Sequence, residues 1–281
     1  MLKPGFFITI TRMILTDCHL HSDLSTDGLS PMEEEITCAI KHGLKTLCFT
    51  EHNDYGARDD GSFVTDTRLY REKFLEMKEK YSDRIGLLFG IEVGLQPTDV
   101  HYSYFNELAD KWDFDFIIGS SHVVKNKDPY YPAFFEDYED DDSAYSAYFE
   151  EELQNASMYD CYDSYGHLDY ILRYGASLNK YFTYEKFSSI LDPLLKEIIS
   201  HGKCIEVNSA GIRKGMGFAN PHTDILTRYR ELGGLPPTIG SDAHEAKDMA
   251  ADFDEVEKIL YDAGFSSYSI FRNRRREEIS L

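Results

Sequence analysis

Short apolar runs alternate with longer amphipathic ones along almost the whole chain, and this alternation constrains the fold more than any other feature. MILTDCHLH (13–21) reads as a first strand. SPMEEEITCAIKHG (30–43) reads as the helix behind it, with Ser30 as N-cap, Pro31 as first helical residue, Glu33 as capping-box acid and Gly43 as terminator. LKTLCFTEH (44–52) is a second strand, and TDTRLYREKFLEMKEKYS (65–82) a helix anchored by Leu69, Phe74 and Met77. GLLFGIEVG, FDFIIGSSH, DSYGHLDY, KCIEVNSAG and PPTIGSDAH supply five further strands or strand ends. Helices are expected between them at 101–112, 142–160, 183–202 and 221–233, and after them at 248–264. Pro193 is placed as a kink or early boundary of the 183–202 helix, and SSYSIFRNRRREE (266–278) as a short strand with a basic tail. Such alternation predicts parallel βα units. The count is seven, one short of an eightfold barrel, and a chain of 281 residues suits a single α/β barrel.

Residues 125–142 (KNKDPYYPAFFEDYEDDD) interrupt the pattern and read as a long aromatic and acidic loop. A solvated connector is the plain reading of such a charge run. The stretch before Met13 is too short and lacks the small-residue cleavage site of a signal peptide, so residues 1–12 read as an N-terminal extension and 13–281 as one domain. No run approaches the roughly 18 apolar residues of a membrane span. The five cysteines are odd in number, form no CxxC pair and mostly sit in apolar runs. They predict buried thiols in a reducing cytoplasm rather than a disulfide framework. The net charge, 29 − 50 = −21, disfavours nucleic acid as a partner.

Of ten histidines, His42, His101, His201 and His222 fall in or at the ends of predicted helices. The other six, His19, His21, His52, His122, His167 and His244, fall at or just past the C-terminal ends of predicted strands, as do Asp27, Glu92 and Asp242. A lone histidine there is ordinarily a satisfied structural residue. Six strand ends with the same habit instead predict a metal site on the C-terminal rim, where barrel enzymes place their chemistry. His, Asp and Glu suit Zn²⁺, Mn²⁺ and Fe²⁺. Nine candidates exceed what one ion takes and predict three.

The endings HLH (19–21), TEH (50–52), GIE (90–92), SSH (120–122), GHLD (166–169) and SDAH (241–244) resemble, in order and spacing, the PHP (polymerase and histidinol phosphatase) superfamily. GHLDYILRYG and EVNSAGIRKG resemble its histidinol-phosphatase branch. The resemblance implies a distorted TIM-like (βα)7 barrel holding three divalent ions (Zn, Fe or Mn). His19, His21, Glu92 and Asp242 would hold the first ion; Glu92, His122 and His167 the second; Asp27, His52 and His244 the third. It implies Arg173 and Arg213 near a substrate phosphate; Asp242, His244 or a metal-bound water could protonate the leaving oxygen, and the sequence does not choose among them.

The implied reaction is attack of a metal-bound hydroxide on a small phosphomonoester, with L-histidinol phosphate, in histidine biosynthesis, as the leading substrate. The acid-rich loop 125–142, through EDYEDDD at 136–142, is expected to meet the cationic end of that substrate, with Asp140, Asp141 and Asp142 as the residues that test it. The rivals are a PHP phosphoesterase for another small monoester or a nucleic acid 3′ end, and a non-catalytic metal-binding barrel. The expected partner is the small-molecule substrate alone, with no membrane and with a monomer or homodimer as the assembly.

Overall fold

A computed structural model of the chain describes residues 14–177 and 179–281. The expected extension 1–12 lies outside them. The strands are β1 (Thr16–Asp17), β2 (Thr46–Phe49), β3 (His52–Asn53), β4 (Gly86–Gly94), β5 (Phe116–Ser120), β6 (Ser164–Tyr165), β7 (Cys204–Asn208) and β8 (Thr238–Gly240), followed by β9 (Ser267–Arg272) and β10 (Arg275–Ser280). The first eight form one parallel sheet in the order β1-β2-β4-β5-β6-β7-β8, with β3 paired to β4 beyond β2. The two ends meet: Cys18 N donates to Ile239 O (2.9 Å), and Leu20 bridges Ala243 in parallel. β2 and β3 act as one broken stave, so the architecture is the expected distorted, nearly closed seven-stave α/β barrel.

The helices between staves are α1 (Met32–Lys41), α2 (Thr67–Lys80), α3 (Asp99–Lys111), α4 (Asp141–Met158), α5 (Tyr184–Ser200), the short α6 (Ala210–Arg213), α7 (Thr223–Glu231) and α8 (Phe253–Asp262). Their apolar faces pack on the staves. Ile36, Phe74, Leu191, Leu195, Leu226 and Leu260 are all buried. Burying a large apolar side chain is worth about 1.5–3 kcal/mol each.

Local details depart from the sequence expectation. α1 starts after Pro31 without a side-chain cap. The Ser30 hydroxyl instead accepts from Ala246 N (2.9 Å), and Glu33 pairs with Lys80 and Tyr81 (both 2.7 Å). Gly43 does terminate the helix, in the left-handed region (φ +81°) where glycine carries no steric penalty. In α2 Leu69 faces solvent and Tyr70 takes its place inside, donating to Phe49 O and Gly90 O. α5 runs through Pro193. Ser189, whose carbonyl the proline leaves free, is exposed, so water can serve that group.

The largest departure is at the C-terminus. The expected basic tail is an antiparallel hairpin, β9–β10, turning at Asn273 and Arg274 (φ +48° and +61°). It lies against the N-terminal end of the barrel. Arg274 bonds the buried Asp163 (Nε to Oδ2, 2.5 Å) and Cys161 O (2.7 Å), and Asn273 N donates to Asp115 (2.9 Å). The opposite end, where the histidines gather, stays open.

Candidate metal centre

Six of the seven staves deliver ligand candidates near or past their C-terminal ends, and β7 delivers none. β1 ends at Asp17, whose buried carboxylate accepts from Ser241 N (2.9 Å) and Ala250 N (3.2 Å) and ties the strand to β8. The chain then runs extended beside Ala243, so His19 and His21 both turn inward and are fully buried. His52 lies in β3 and Glu92 in β4, paired in register. His122 and His167 follow β5 and β6, and Asp242 and His244 follow β8. Asp242 has φ +53°. That left-handed conformation is one aspartate tolerates better than most residues, and it bends the SDAH turn so that both side chains reach the cluster.

Glu92 is the hub. Oε1 lies 3.0 Å from His167 Nε2, 3.3 Å from His122 Nε2 and 3.4 Å from His19 Nε2. Oε2 lies 3.0 Å from His52 Nδ1 and 3.5 Å from His21 Nε2. Asp242 Oδ1 lies 3.8 Å from His19 Nε2 and 3.7 Å from His21 Nε2. Asp27, on the loop after β1, places its oxygens 3.2 Å from His244 Nε2 and 3.6 Å from His52 Nε2. The rings of His21 and His52 stack at 4.0 Å.

Burial would raise the Glu92 carboxyl, but the charges of His19, His122 and His52 hold it well below the usual range. Asp242 is likewise held down against burial, by His19, Arg173 and His244. Burial would lower His52, yet Glu92, Asp54 and Asp27 push it up to about 9. His19 and His122 are raised in the same way, by Glu206 and Glu92 and by Asp54 and Glu92. His21 is driven well below 6.5 by burial and by the neighbouring His52 and His244, and His167 is lowered chiefly by burial.

His167 Nε2 and Glu92 Oε1 are hydrogen-bonded, but most of the other close approaches are not bonds. Among the described residues, His19 Nε2, His21 Nε2, His52 Nδ1, Asp27 Oδ1 and Glu92 Oε2 are buried without a hydrogen-bond partner. Buried polar atoms are overwhelmingly paired, so this many in one place fits cations set between them. Four overlapping sets have ligand atoms within 4.8 Å of one another: His21, His52 and His244; His19, His21 and Asp242; His19, Glu92 and His167; His52, Glu92 and His122. Imidazole and carboxylate without thiolate suit zinc, manganese or iron. Eight of the nine candidates from the sequence fall in these sets. Asp27 stands at the edge, through His244 and His52.

The cluster floors a pocket that also exposes Asp54, Phe63, Asp128, Tyr130, Tyr170, Arg173 and Lys214. Arg173 is buried and donates to Asn220 (2.9 Å), Asp242 (3.2 Å) and Asn208 (3.2 Å). Arg213 does not line the pocket. It donates to Ser241 O (2.9 Å) and Asp242 O (3.1 Å) and sits 3.4 Å from Asp248, bracing the SDAH turn from outside. Its neighbour Lys214 lines the pocket in its place, lowered to about 8 by burial and by Arg173.

The acidic loop does reach the pocket, but not through the carboxylates expected to do so. Asp140 caps α4 through Ser143 N (2.8 Å), Asp141 accepts from Ser177 N (2.7 Å) and Asp142 pairs with Lys186 (2.7 Å). These three line a separate surface cleft. The loop reaches the pocket through Asp128, Tyr130 and Tyr131 instead.

Sequence reasoning passed over Asp54 and Glu206. Asp54 Oδ2 lies 2.8 Å from His122 Nδ1, and Glu206 Oε1 lies 2.7 Å from His19 Nδ1. Glu206 had a readable signal: in KCIEV it is an acid at an inward position of an apolar strand, where an unpaired charge is too costly to keep.

A PHP domain family model matches residues 17–210. The chain is 29% identical over 261 residues to the histidinol-phosphatase of Lactococcus lactis, covering 91% of this chain and 93% of that protein. It is 31% identical over 249 residues to a probable histidinol-phosphatase of Clostridium acetobutylicum, covering 86% and 91%. A crystal structure of the Lactococcus histidinol phosphate phosphatase, complexed with zinc, L-histidinol and phosphate, superposes with a TM-score of 0.84 at 28% identity, covering 93% of this chain and 98% of that one. A putative histidinol phosphatase from Listeria monocytogenes shares the fold (TM-score 0.74, 19% identity, 85% and 99% covered). The seven-stave barrel, the convergent histidines and these matches together place the chain in the PHP domain family.

Proposed function

We propose that the chain is a metal-dependent phosphatase that hydrolyses L-histidinol phosphate to L-histidinol and phosphate. The observation that carries this is the set of buried, unpartnered imidazole and carboxylate atoms around Glu92, opening into a pocket that holds Arg173. Three ions are the number we favour, held by His19, His21, Glu92 and Asp242, by Glu92, His122 and His167, and by Asp27, His52 and His244. The third set is supported by the 3.2 Å and 3.6 Å approaches of Asp27 to His244 and His52. Bound ions would supply Lewis acidity and lower the pKa of a water from 15.7 to about 7.

The protein's own groups do the rest. Arg173 spends three of its five N–H donors on Asn220, Asp242 and Asn208. Those bonds fix the guanidinium plane, and the remaining two donors suit two phosphate oxygens. Asp242 orients that fork while staying ionised. Water attacks phosphorus, the ester P–O bond breaks, and the departing alkoxide takes one proton. Asp242 and His244 of the SDAH turn both line the pocket, and Asp242, held ionised, has no proton to give. At the mouth, Asp128 and the faces of Tyr130 and Tyr170 suit a cationic imidazole and amine. The substrate is thus held by unlike charge at each end.

The test is phosphate release from histidinol phosphate, glycerol phosphate and nucleotides by the metal-loaded protein. Histidinol phosphate should be much the best substrate. Asp128→Asn should raise its KM about tenfold, the order expected for one lost charge-assisted contact, and leave glycerol phosphate unchanged. A preference for nucleotides would overturn the proposal.

A further inference from the structure

We infer that Glu206 is a positioning residue that sets two ligands of the metal centre at once, one through its side chain and one through its backbone. The inference rests on the metal-centre reading above.

Glu206 lies in β7, between β6 and β8, and is about 1% exposed. Its two oxygens divide the work. Oε1 lies 2.7 Å from His19 Nδ1, the ring nitrogen on the far side from the cluster. Oε2 accepts from His167 N (2.9 Å) and Asn208 Nδ2 (3.1 Å). One carboxylate therefore spans the barrel seam, holding a ligand that follows β1 and another that follows β6. A carboxylate can only accept, so it selects the His19 form with the proton on Nδ1. That leaves Nε2 facing Glu92 and Asp242 without a hydrogen-bond partner. An imidazole so held presents its ligand nitrogen bare and in a fixed direction.

The seat is built for this pair. Gly240 of β8 lies against them, and a Cβ added there would come within 2.3 Å of both Glu206 Oε1 and His19 Cβ. Only the missing side chain lets carboxylate and imidazole close on each other. Glu206 is not itself in any of the four candidate ligand sets, although the cluster lies one imidazole away.

Glu206→Gln is nearly isosteric and separates geometry from charge. One amide end must now donate. If it faces His19, it favours the proton on Nε2 and blocks the ligand nitrogen. If it faces His167 N and Asn208, two donors oppose a donor. Either way His19 or His167 loses its hold.

The experiment titrates full-length, metal-free protein with Zn²⁺ against a chromophoric chelator, and follows the His19 ring N–H proton by NMR in the zinc-loaded state. Wild type should show a downfield Nδ1–H signal. Glu206→Gln should shift or lose that signal and bind its tightest zinc about 10–100-fold more weakly, the range for loss of a carboxylate behind a ligating histidine. Glu206→Asp, which keeps the charge but cannot span both partners, should fall between them and stands in if the glutamine variant does not fold. Unchanged zinc affinity and an unchanged ring proton in a folded variant would overturn the role of Glu206 alone. Failure of wild type to bind zinc would overturn the metal centre itself.

Discussion

Metal loading should release protons, and the structure says from which residues. In the metal-free chain Glu92, Asp54 and Asp27 raise His52 to about 9. A rise from about 6.5 is worth roughly 3 kcal/mol at 1.36 kcal/mol per pH unit. The raised pKa means that the protonated form is favoured by the fold. Its stabilisation is therefore complete below about pH 6.5 and is lost as pH rises through about 9.

A metal ion needs the neutral imidazole, so at pH 7 it must first displace that proton. Binding through His52 is weakened about 100-fold there relative to pH above 9. His19 and His122 are raised for the same reason, whereas His21 and His167 are already lowered. Saturating the metal-free protein with Zn²⁺ at pH 7 should thus release about three protons, from His19, His52 and His122. Calorimetry in buffers of different ionisation enthalpy counts them. Apparent affinity should climb from pH 6.5 through about 9, the range over which His52 loses its proton. Release of no protons at pH 7 would refute this charge arrangement.

Two further outcomes follow from particular contacts. Arg173→Met should lower kcat/KM about 10²–10³-fold, as for loss of a preorganised donor to developing charge, and weaken inhibition by inorganic phosphate in the same assay; unchanged phosphate inhibition would remove Arg173 from the phosphate site. Arg274→Ala should cost about 2 kcal/mol in denaturant unfolding, because Asp163 stays buried without its cation, while kcat per folded molecule holds; an unchanged midpoint would mean that the hairpin does not secure the barrel floor.

The barrel was legible because its signal is periodic. Apolar runs of strand length recur with helices between them, and the same chemistry ends six of the seven runs. His19, His52 and Glu92 could be placed on one rim before any coordinate was known, since parallel staves put all their C-termini together. What the sequence hid depends on side-chain direction. Arg213 and Lys214 are neighbours on α6, yet one braces the SDAH turn from outside while the other lines the pocket. The run EDYEDDD looked like one acidic feature, but its last three residues cap α4, hold the 176–177 turn and pair with Lys186. Asp128, isolated in the same loop, reaches the pocket. Charge density marked the loop, and the backbone path chose which carboxylate arrives.

The left-handed backbone at Asp242 bears on how such a site can be lost. A non-glycine residue in this region stores about 1–3 kcal/mol of strain, and here its carboxylate is also buried among groups that compete for it. Asp242→Gly would relieve the backbone and remove the buried charge from the SDAH turn, though it would leave Arg173 with one partner fewer. Stripping a buried charge of its partner costs about 3–5 kcal/mol, more than the strain relieved, so the exchange would weaken the fold around the residue that Arg173, His19 and His21 all face. Decay of the reaction and loosening of the barrel would proceed through the same substitution, so the strained aspartate is kept by stability and chemistry together.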